Sequence, residues 1–290
     1  MDIERALRER DYLISDGAMG TMLQARGLRV GACPELWNAE RPDDVLAVHT
    51  AYIEAGAELL TTNSFGGSRH KLAQYGAECR ADELNAKAVE IARRAAGGDA
   101  AVVGSIGPLG VLLEPYGDLT AEDAAALYGA HAEALASAGA DALLFETFYD
   151  AAELAIAVKS ASGLGVPALA TMTFDSGGRT MMGTSPAQAW EAVAGLGLLA
   201  FGANCSTGPD EMLPIIEALR AAGAGALIAQ PNAGLPETAP DGTTVYGQSP
   251  ESFGEYAPAF VAAGCKIVGG CCGSTPPHIR SIRAALQGGE

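Results

Sequence analysis

The sequence has 290 residues, 49% of them hydrophobic and only 6% aromatic, with 37 glycines. A chain of this length buries a large core, and α/β barrels commonly use about 250 residues as a single domain. Its 35 acidic and 18 basic side chains leave a net charge of −17, which repels phosphate backbones and anionic lipid and so argues against nucleic-acid or membrane partners. The opening Met1-Asp2-Ile3-Glu4-Arg5 is charged where a secretory signal needs an apolar core. The longest uncharged stretch, 192–209, is interrupted by glycines, an asparagine and a proline, and reads as helix end, turn and strand. The expectation is a soluble, cytoplasmic protein.

Short apolar runs without polar alternation read as buried parallel strands, and longer Ala-rich amphipathic segments between them read as helices. The first strand, Tyr12–Asp16, runs into Asp16-Gly17-Ala18-Met19-Gly20-Thr21. A helix over Pro42–Ala55 follows, with proline at a starting position and Val45, Val48, His49 and Tyr52 at helical spacing. The second strand, Glu58–Asn63, ends in Thr62-Asn63-Ser64-Phe65-Gly66-Gly67, and Arg80–Ala95 then places Leu84, Ala88, Ile91 and Ala95 on one helical face. The third strand, Ala101–Ile106, meets Gly107-Pro108, and helix Thr120–Ser137 opens with Thr120 as cap and Asp123 three residues on. The fourth strand is Ala142–Glu146, followed by helix Ala151–Ser162; the fifth is Ala168–Thr173, followed by helix Ser185–Gly195. The sixth, Ala200–Cys205, leads to helix Pro209–Ala222, and the seventh, Ala226–Gln230, leads through Pro231-Asn232-Ala233-Gly234 to helix Pro250–Ala263. The eighth, Lys266–Gly270, ends in Gly269-Gly270-Cys271-Cys272-Gly273 before a last helix, Pro276–Leu286.

Repeated strand–helix pairs without a low-complexity linker predict one α/β domain over 1–290, a (β/α)8 TIM-type barrel. Nearly every strand ends in a polar or Gly-bearing cluster. In such a barrel the active site is built from these C-terminal strand ends.

Six cysteines are present, and in a cytoplasmic protein of this size they do not read as a disulfide framework. Cys205 ends the sixth strand; Cys271 and Cys272 end the eighth. Both strands flank the seventh, so the three sulfurs converge at one rim. Soft thiolates select zinc, and three protein ligands leave one tetrahedral position open, as in catalytic zinc sites. Adjacent residues in a regular strand point to opposite faces, but the surrounding glycines permit a distorted backbone that turns both sulfurs inward. Taken singly, each cysteine would pass for a small buried hydrophobe. Cys33, Cys79 and Cys265 lack the strand-end setting and are assigned structural roles.

These motifs resemble the homocysteine S-methyltransferases. The likeness runs along essentially the whole chain: Asp16–Thr21, Glu54-Ala55-Gly56-Ala57 with Thr62–Phe65, Phe145-Glu146-Thr147, Gly202-Ala203-Asn204-Cys205, Pro231–Gly234, and Val268 to Pro276. The family's branches use a methyl-corrinoid, betaine, or S-methylmethionine with S-adenosylmethionine as donor. Asp16–Thr21, Met172-Thr173-Phe174-Asp175 with Gly178-Arg179, and Pro231–Pro236 look most like the N-terminal homocysteine-binding module of cobalamin-dependent methionine synthase. The S-methylmethionine branch tends to have arginine after the paired cysteines, where this chain has Gly273. Folate, corrinoid and activation modules are absent from the 290 residues, so the resemblance implies an excised module or a subunit that meets a separate corrinoid protein.

The resemblance implies that zinc on Cys205, Cys271 and Cys272 activates homocysteine, whose free thiol is mostly protonated at neutral pH. It implies that Asp16 and Glu146 take the substrate ammonium. The substrate carboxylate is expected at backbone N–H groups around Gly17, Ala18, Met19 and Gly20, where glycine allows close approach. Asn63, Asn204 and Asn232 either orient substrate or metal ligands or cap loops. His49, His70, His131 and His278 fall in helices and read as surface or packing residues. The leading function is methyl transfer from methylcobalamin on a partner module to homocysteine, giving methionine. The alternatives are S-methylmethionine or betaine as donor, and a barrel that holds zinc and binds thiols without turnover.

Overall fold

The structure is a computed structural model and describes residues 1–238 and 244–288. Eight parallel strands form one sheet: β1 (Leu13–Ile14), β2 (Leu59–Thr61), β3 (Ala101–Ile106), β4 (Ala142–Phe148), β5 (Ala168–Met172), β6 (Ala200–Asn204), β7 (Leu227–Gln230) and β10 (Cys265–Val268). Neighbours follow chain order from β2 round to β7, then β10, then β1. The ring closes between β1 and β2 through a bridge from Ser15 to Leu59, with Glu58 N–H donating to the Ile14 carbonyl at 2.7 Å and Asp16 N–H to the Leu59 carbonyl at 3.0 Å. This is the (β/α)8 barrel that the alternating pattern predicts.

Side-chain alternation divides each strand between two cores. Leu13, Leu59, Ala101, Val103, Ala142, Leu144, Leu169, Ala200, Ile228 and Ile267 point into the lumen. Ile3, Ala6 and Leu7 of the helix Ile3–Glu9 pack onto them from below and plug the barrel. The intervening residues, among them Val102, Leu143, Phe145, Phe201 and Val268, pack outward against the helix layer. That helix is absent from the sequence reading, although Asp2 caps it by accepting from Arg5 N–H at 2.9 Å.

The helices start and stop for local reasons. Pro42–Ala55 has proline in its first turn and ends at Gly56, with φ of 105°. Ala81–Ala96 carries Asp82 and Glu83 in its first turn and Arg93 and Arg94 in its last, matching the helix dipole. The helix expected over Pro250–Ala263 is two pieces, Pro250–Gly254 and Ala257–Ala262. Pro258 has no N–H to continue a ladder and disfavours helical backbone before it. An antiparallel hairpin, β8 (Pro236–Thr238) with β9 (Thr244–Tyr246), projects from the loop after β7. No described helix is long and apolar enough to cross a membrane.

Candidate active site

One register step above the apolar plug, the lumen becomes polar. Continuing the inward period of Leu13, Leu59, Val103, Leu144, Leu169 and Ile228 by two residues gives Ser15, Thr61, Ser105, Glu146, Thr171 and Gln230. Most of this layer forms the floor of a cavity of about 450 Å³ at the C-terminal strand ends. Its lining includes Asp16, Gly17, Ala18, Met19, Gly20, Asn63, Glu146, Asn204, Cys205, Cys271 and Cys272. Asn232 is buried but is not part of that lining.

The three sulfurs of Cys205, Cys271 and Cys272 lie within 4.8 Å of one another. The Cys205 and Cys272 sulfurs are 3.8 Å apart. Four bonds of about 2.3 Å at tetrahedral angles separate sulfurs by about 3.8 Å, so the spacing fits a zinc-sized ion. The cluster titrates as a unit and favours one thiolate: hydrogen bonds from Cys205 and Cys271 pull Cys272 well down against burial, while those two thiols are pushed up. Cys33, Cys79 and Cys265 lie apart from the cluster, and all six cysteines are free.

The backbone reason for this convergence differs from the one the sequence suggests. Left-handed conformations fall at Cys205 (φ 60°), Ser206 (66°) and Gly273 (78°), and not at Gly269 or Gly270. Those two glycines serve close approach. A Cβ at Gly269 would lie 2.7 Å from Ser15 Cβ, and one at Gly270 would clash with Ser274 Oγ. The strand end is fastened by Cys271 N–H to the Pro231 carbonyl at 2.7 Å and Cys205 N–H to the Gln230 carbonyl at 3.0 Å.

Two carboxylates face the cavity from opposite arcs of the barrel. Asp16, 2% exposed, accepts Thr61 N–H at 2.7 Å, the Thr61 hydroxyl at 2.9 Å and the Ser15 hydroxyl at 3.2 Å. Burial pushes its pKa up to about 7 against those bonds. Glu146 accepts the Ser105 hydroxyl and the Asn204 amide, the latter at 3.2 Å, and burial lifts it to about 7 as well. Asn204 also holds Thr147, whose φ is 64°, accepting its N–H at 2.9 Å and donating to its hydroxyl at 2.7 Å. Ser105, Thr147 and Thr171 are members of this network that the sequence reading missed; the inward period of two would have found Ser105 and Thr171.

The loop after β1 is set by residues far away in sequence. Ala18 N–H donates to the Ser274 hydroxyl at 3.1 Å, and the Tyr52 hydroxyl donates to the Ala18 carbonyl at 2.8 Å. The Ala18 N–H is therefore engaged within the protein. The short helix Gly20–Ala25 makes its first closing bond at Leu23 N–H, so the Gly20, Thr21 and Met22 N–H groups precede any internal partner. Asn63 donates to the Pro34 carbonyl at 2.8 Å and to Asn38 Oδ1 at 2.9 Å, tying the cavity wall to the segment before the helix Pro42–Ala55. Glu35, another wall residue absent from the sequence reading, accepts Gly66 N–H at 2.6 Å and the Cys33 thiol at 3.1 Å. His49 and His131 are fully enclosed in the helix layer, and burial lowers both to about 4, so they are neutral packing groups.

Every large hydrophobic residue exposed on the described surface sits on a loop that follows a strand. Val30 follows β1, Phe65 and Tyr75 follow β2, Leu112 and Tyr116 follow β3, Met181 and Met182 follow β5, and Leu235 and Val245 follow β7. All nine therefore belong to strand-to-helix connections, at the end of the barrel where the cavity opens, and Phe65 and Tyr75 line the cavity itself.

Fold and site define a (β/α)8 barrel whose cavity joins a three-thiol cluster to a pair of buried carboxylates. A family model described as homocysteine S-methyltransferase matches residues 13–286. The chain belongs to the homocysteine S-methyltransferase family. It is 35% identical to the methionine synthase of Mycobacterium tuberculosis, with 98% of this chain and 25% of that protein aligned, and 34% identical to that of Mycobacterium leprae. The chain thus spans a quarter of the length of these curated relatives. Among solved structures, the metallated form of the homocysteine methyltransferase MmuM from Escherichia coli superposes with a TM-score of 0.82 at 27% identity, over 98% of this chain and 99% of that one.

Proposed function

We propose that this barrel binds homocysteine and zinc and accepts a methyl group from a corrinoid carried by another module or protein, forming methionine. The observation that carries the donor assignment is the exposed apolar side chains of the strand-to-helix connections. A small donor needs only the cavity, whereas nine exposed large hydrophobics at the end of the barrel where it opens suit a macromolecular surface that delivers the donor. The alignment to methionine synthases four times longer than this chain supports the same reading.

Cys205, Cys271 and Cys272 would hold the zinc, leaving a fourth position for the substrate sulfur. When bound, zinc supplies a Lewis-acidic centre that keeps the homocysteine sulfur as a thiolate at neutral pH. The chain's own groups do the rest. The three cysteine thiolates keep the centre electron-rich. Asp16 and Glu146 accept the substrate ammonium, which favours their ionised forms and offsets the burial that raises both pKa values. The N–H groups of Gly20 and Thr21, which line the cavity, would donate to the substrate carboxylate, since the Ala18 N–H is engaged by Ser274. Asn204 fixes Glu146 and the turn at Thr147; Asn63 shapes the wall from behind.

A second reading, in which a small molecule such as S-methylmethionine or betaine is the donor, is favoured by the end-to-end likeness to MmuM, whose chain is covered to 99%. Methionine formation is measured with S-methylmethionine, betaine, S-adenosylmethionine, free methylcobalamin and a methylated corrinoid protein. Turnover fastest with the corrinoid protein is expected. Turnover only with a sulfonium or ammonium donor refutes the corrinoid assignment.

A further inference from the structure

Asn204 touches both halves of the site. Its Oδ1 accepts Thr147 N–H at 2.9 Å and the Thr171 hydroxyl at 2.8 Å, which fixes the amide orientation and turns the NH2 group toward the cavity. That nitrogen has three acceptors in range: Thr147 Oγ1 at 2.7 Å, Glu146 Oε2 at 3.2 Å and Cys271 Sγ at 3.9 Å. A primary amide carries two hydrogens. Thr147 takes one hydrogen at short range, so Glu146 and the sulfur share the other, with Glu146 the nearer.

We propose that Asn204 is a relay between the amino-acid pocket and the thiol cluster. The inference rests on the reading above, in which Glu146 takes the substrate ammonium. An ammonium on Glu146 Oε2 is a stronger donor than an amide and displaces it. The amide hydrogen that Glu146 Oε2 and Cys271 Sγ share is then left to Cys271 alone. Thr147 keeps the other hydrogen, so its hydroxyl and strained backbone hold the amide in place throughout. The cluster thereby senses whether the bound thiol belongs to an amino acid. A hydrogen bond to one of three thiolates withdraws charge from the metal centre and strengthens its grip on the incoming sulfur. Asn204 and Thr147 are positioning residues here, since they act through Glu146 and Cys271.

The test uses the whole chain loaded with Co2+ in place of Zn2+, whose sulfur-to-metal absorption reports the thiolates directly. Homocysteine is compared with 4-sulfanylbutanoate, the same chain without the amino group. Both should change the cobalt spectrum, but by different amounts, because only homocysteine frees the amide. In Asn204→Ala the two thiols should give the same spectrum, and the preference for homocysteine should fall about tenfold, the size of one hydrogen bond to a charged group. Should Asn204→Ala not fold, Asn204→Asp serves. It keeps the oxygen that accepts from Thr147 N–H and the Thr171 hydroxyl but has no hydrogen to offer Cys271, so the difference between the two thiols should vanish. An undiminished difference in either variant, or identical spectra for both thiols in the wild type, overturns the relay while leaving thiol ligation intact. No spectral change with either thiol overturns thiol ligation itself.

Discussion

Asp16→Asn should make the chain more stable at pH 8 and leave its stability nearly unchanged at pH 5. The folded carboxyl titrates at about 7 because it is buried, against 3.8 for a free aspartate. Between those values the folded state binds the proton more tightly than the unfolded state. Stability linked to this group is therefore fully present below about pH 4 and is lost as pH rises through 7. At about 1.4 kcal/mol per pH unit, the gap amounts to on the order of 4 kcal/mol. Asparagine carries no charge to bury, but its NH2 group would face the Thr61 N–H that Asp16 Oδ2 accepts, so recovery of roughly half is expected. Urea unfolding of both proteins at pH 5, 6.5 and 8 measures the difference. A stability difference independent of pH would show that the buried carboxyl is not the source. Homocysteine should restore wild-type stability at pH 8 and do little for Asp16→Asn, because its ammonium partners the same charge.

Three further outcomes follow from the site. Cys205→Ser, Cys271→Ser and Cys272→Ser should each retain well under one zinc per chain by metal analysis, and full retention in all three would remove the cluster from metal binding. Glu146→Gln should weaken homocysteine binding by tenfold or more, as expected for a lost buried ion pair worth roughly 2 kcal/mol or more, while zinc content holds; calorimetry decides it, and unchanged affinity counts against the ammonium role. Homocysteine should enter as a thiol, release a proton and raise the sulfur count around zinc from three to four, read by calorimetry in buffers of different ionisation enthalpy and by X-ray absorption.

The parts legible in the sequence were those with a strong period or a strong backbone constraint. β3 spans Ala101–Ile106 as the uninterrupted apolar run predicts, because all six residues are buried and none needs polar alternation. The three clustered cysteines were legible because strand-end position in a barrel converts directly into convergence. β1 is only Leu13–Ile14, shorter than its apolar run, because closure onto β2 is carried by single hydrogen bonds and by the Asp16 carboxylate. The β8–β9 hairpin was illegible for a physical reason: its strands are mostly exposed and bury no face, so they impose no hydrophobic pattern. The Asn204 network joins β4, β5 and β6 by side-chain bonds, and distance in sequence conceals such contacts. Of the glycines beside the paired cysteines, Gly273 takes the left-handed turn the sequence suggests, while the matching turn at the end of β6 is taken by Cys205 and Ser206 themselves, which no glycine announces.

The plug beneath the lumen closes the lower end of the barrel to the cavity. Ile3, Ala6 and Leu7 close the lower end with the inward apolar layer, so nothing can leave through the barrel axis. On the proposed reading, homocysteine arrives and methionine departs through the mouth that the donor carrier covers. That reading implies a compulsory order: amino acid first, carrier second, carrier off before product escapes. An enzyme of that kind shows ordered sequential kinetics, with inhibition when excess carrier covers the empty or product-bound barrel. Its ceiling on turnover is the lifetime of the docked complex, so weakening the docking surface raises kcat even as it weakens association.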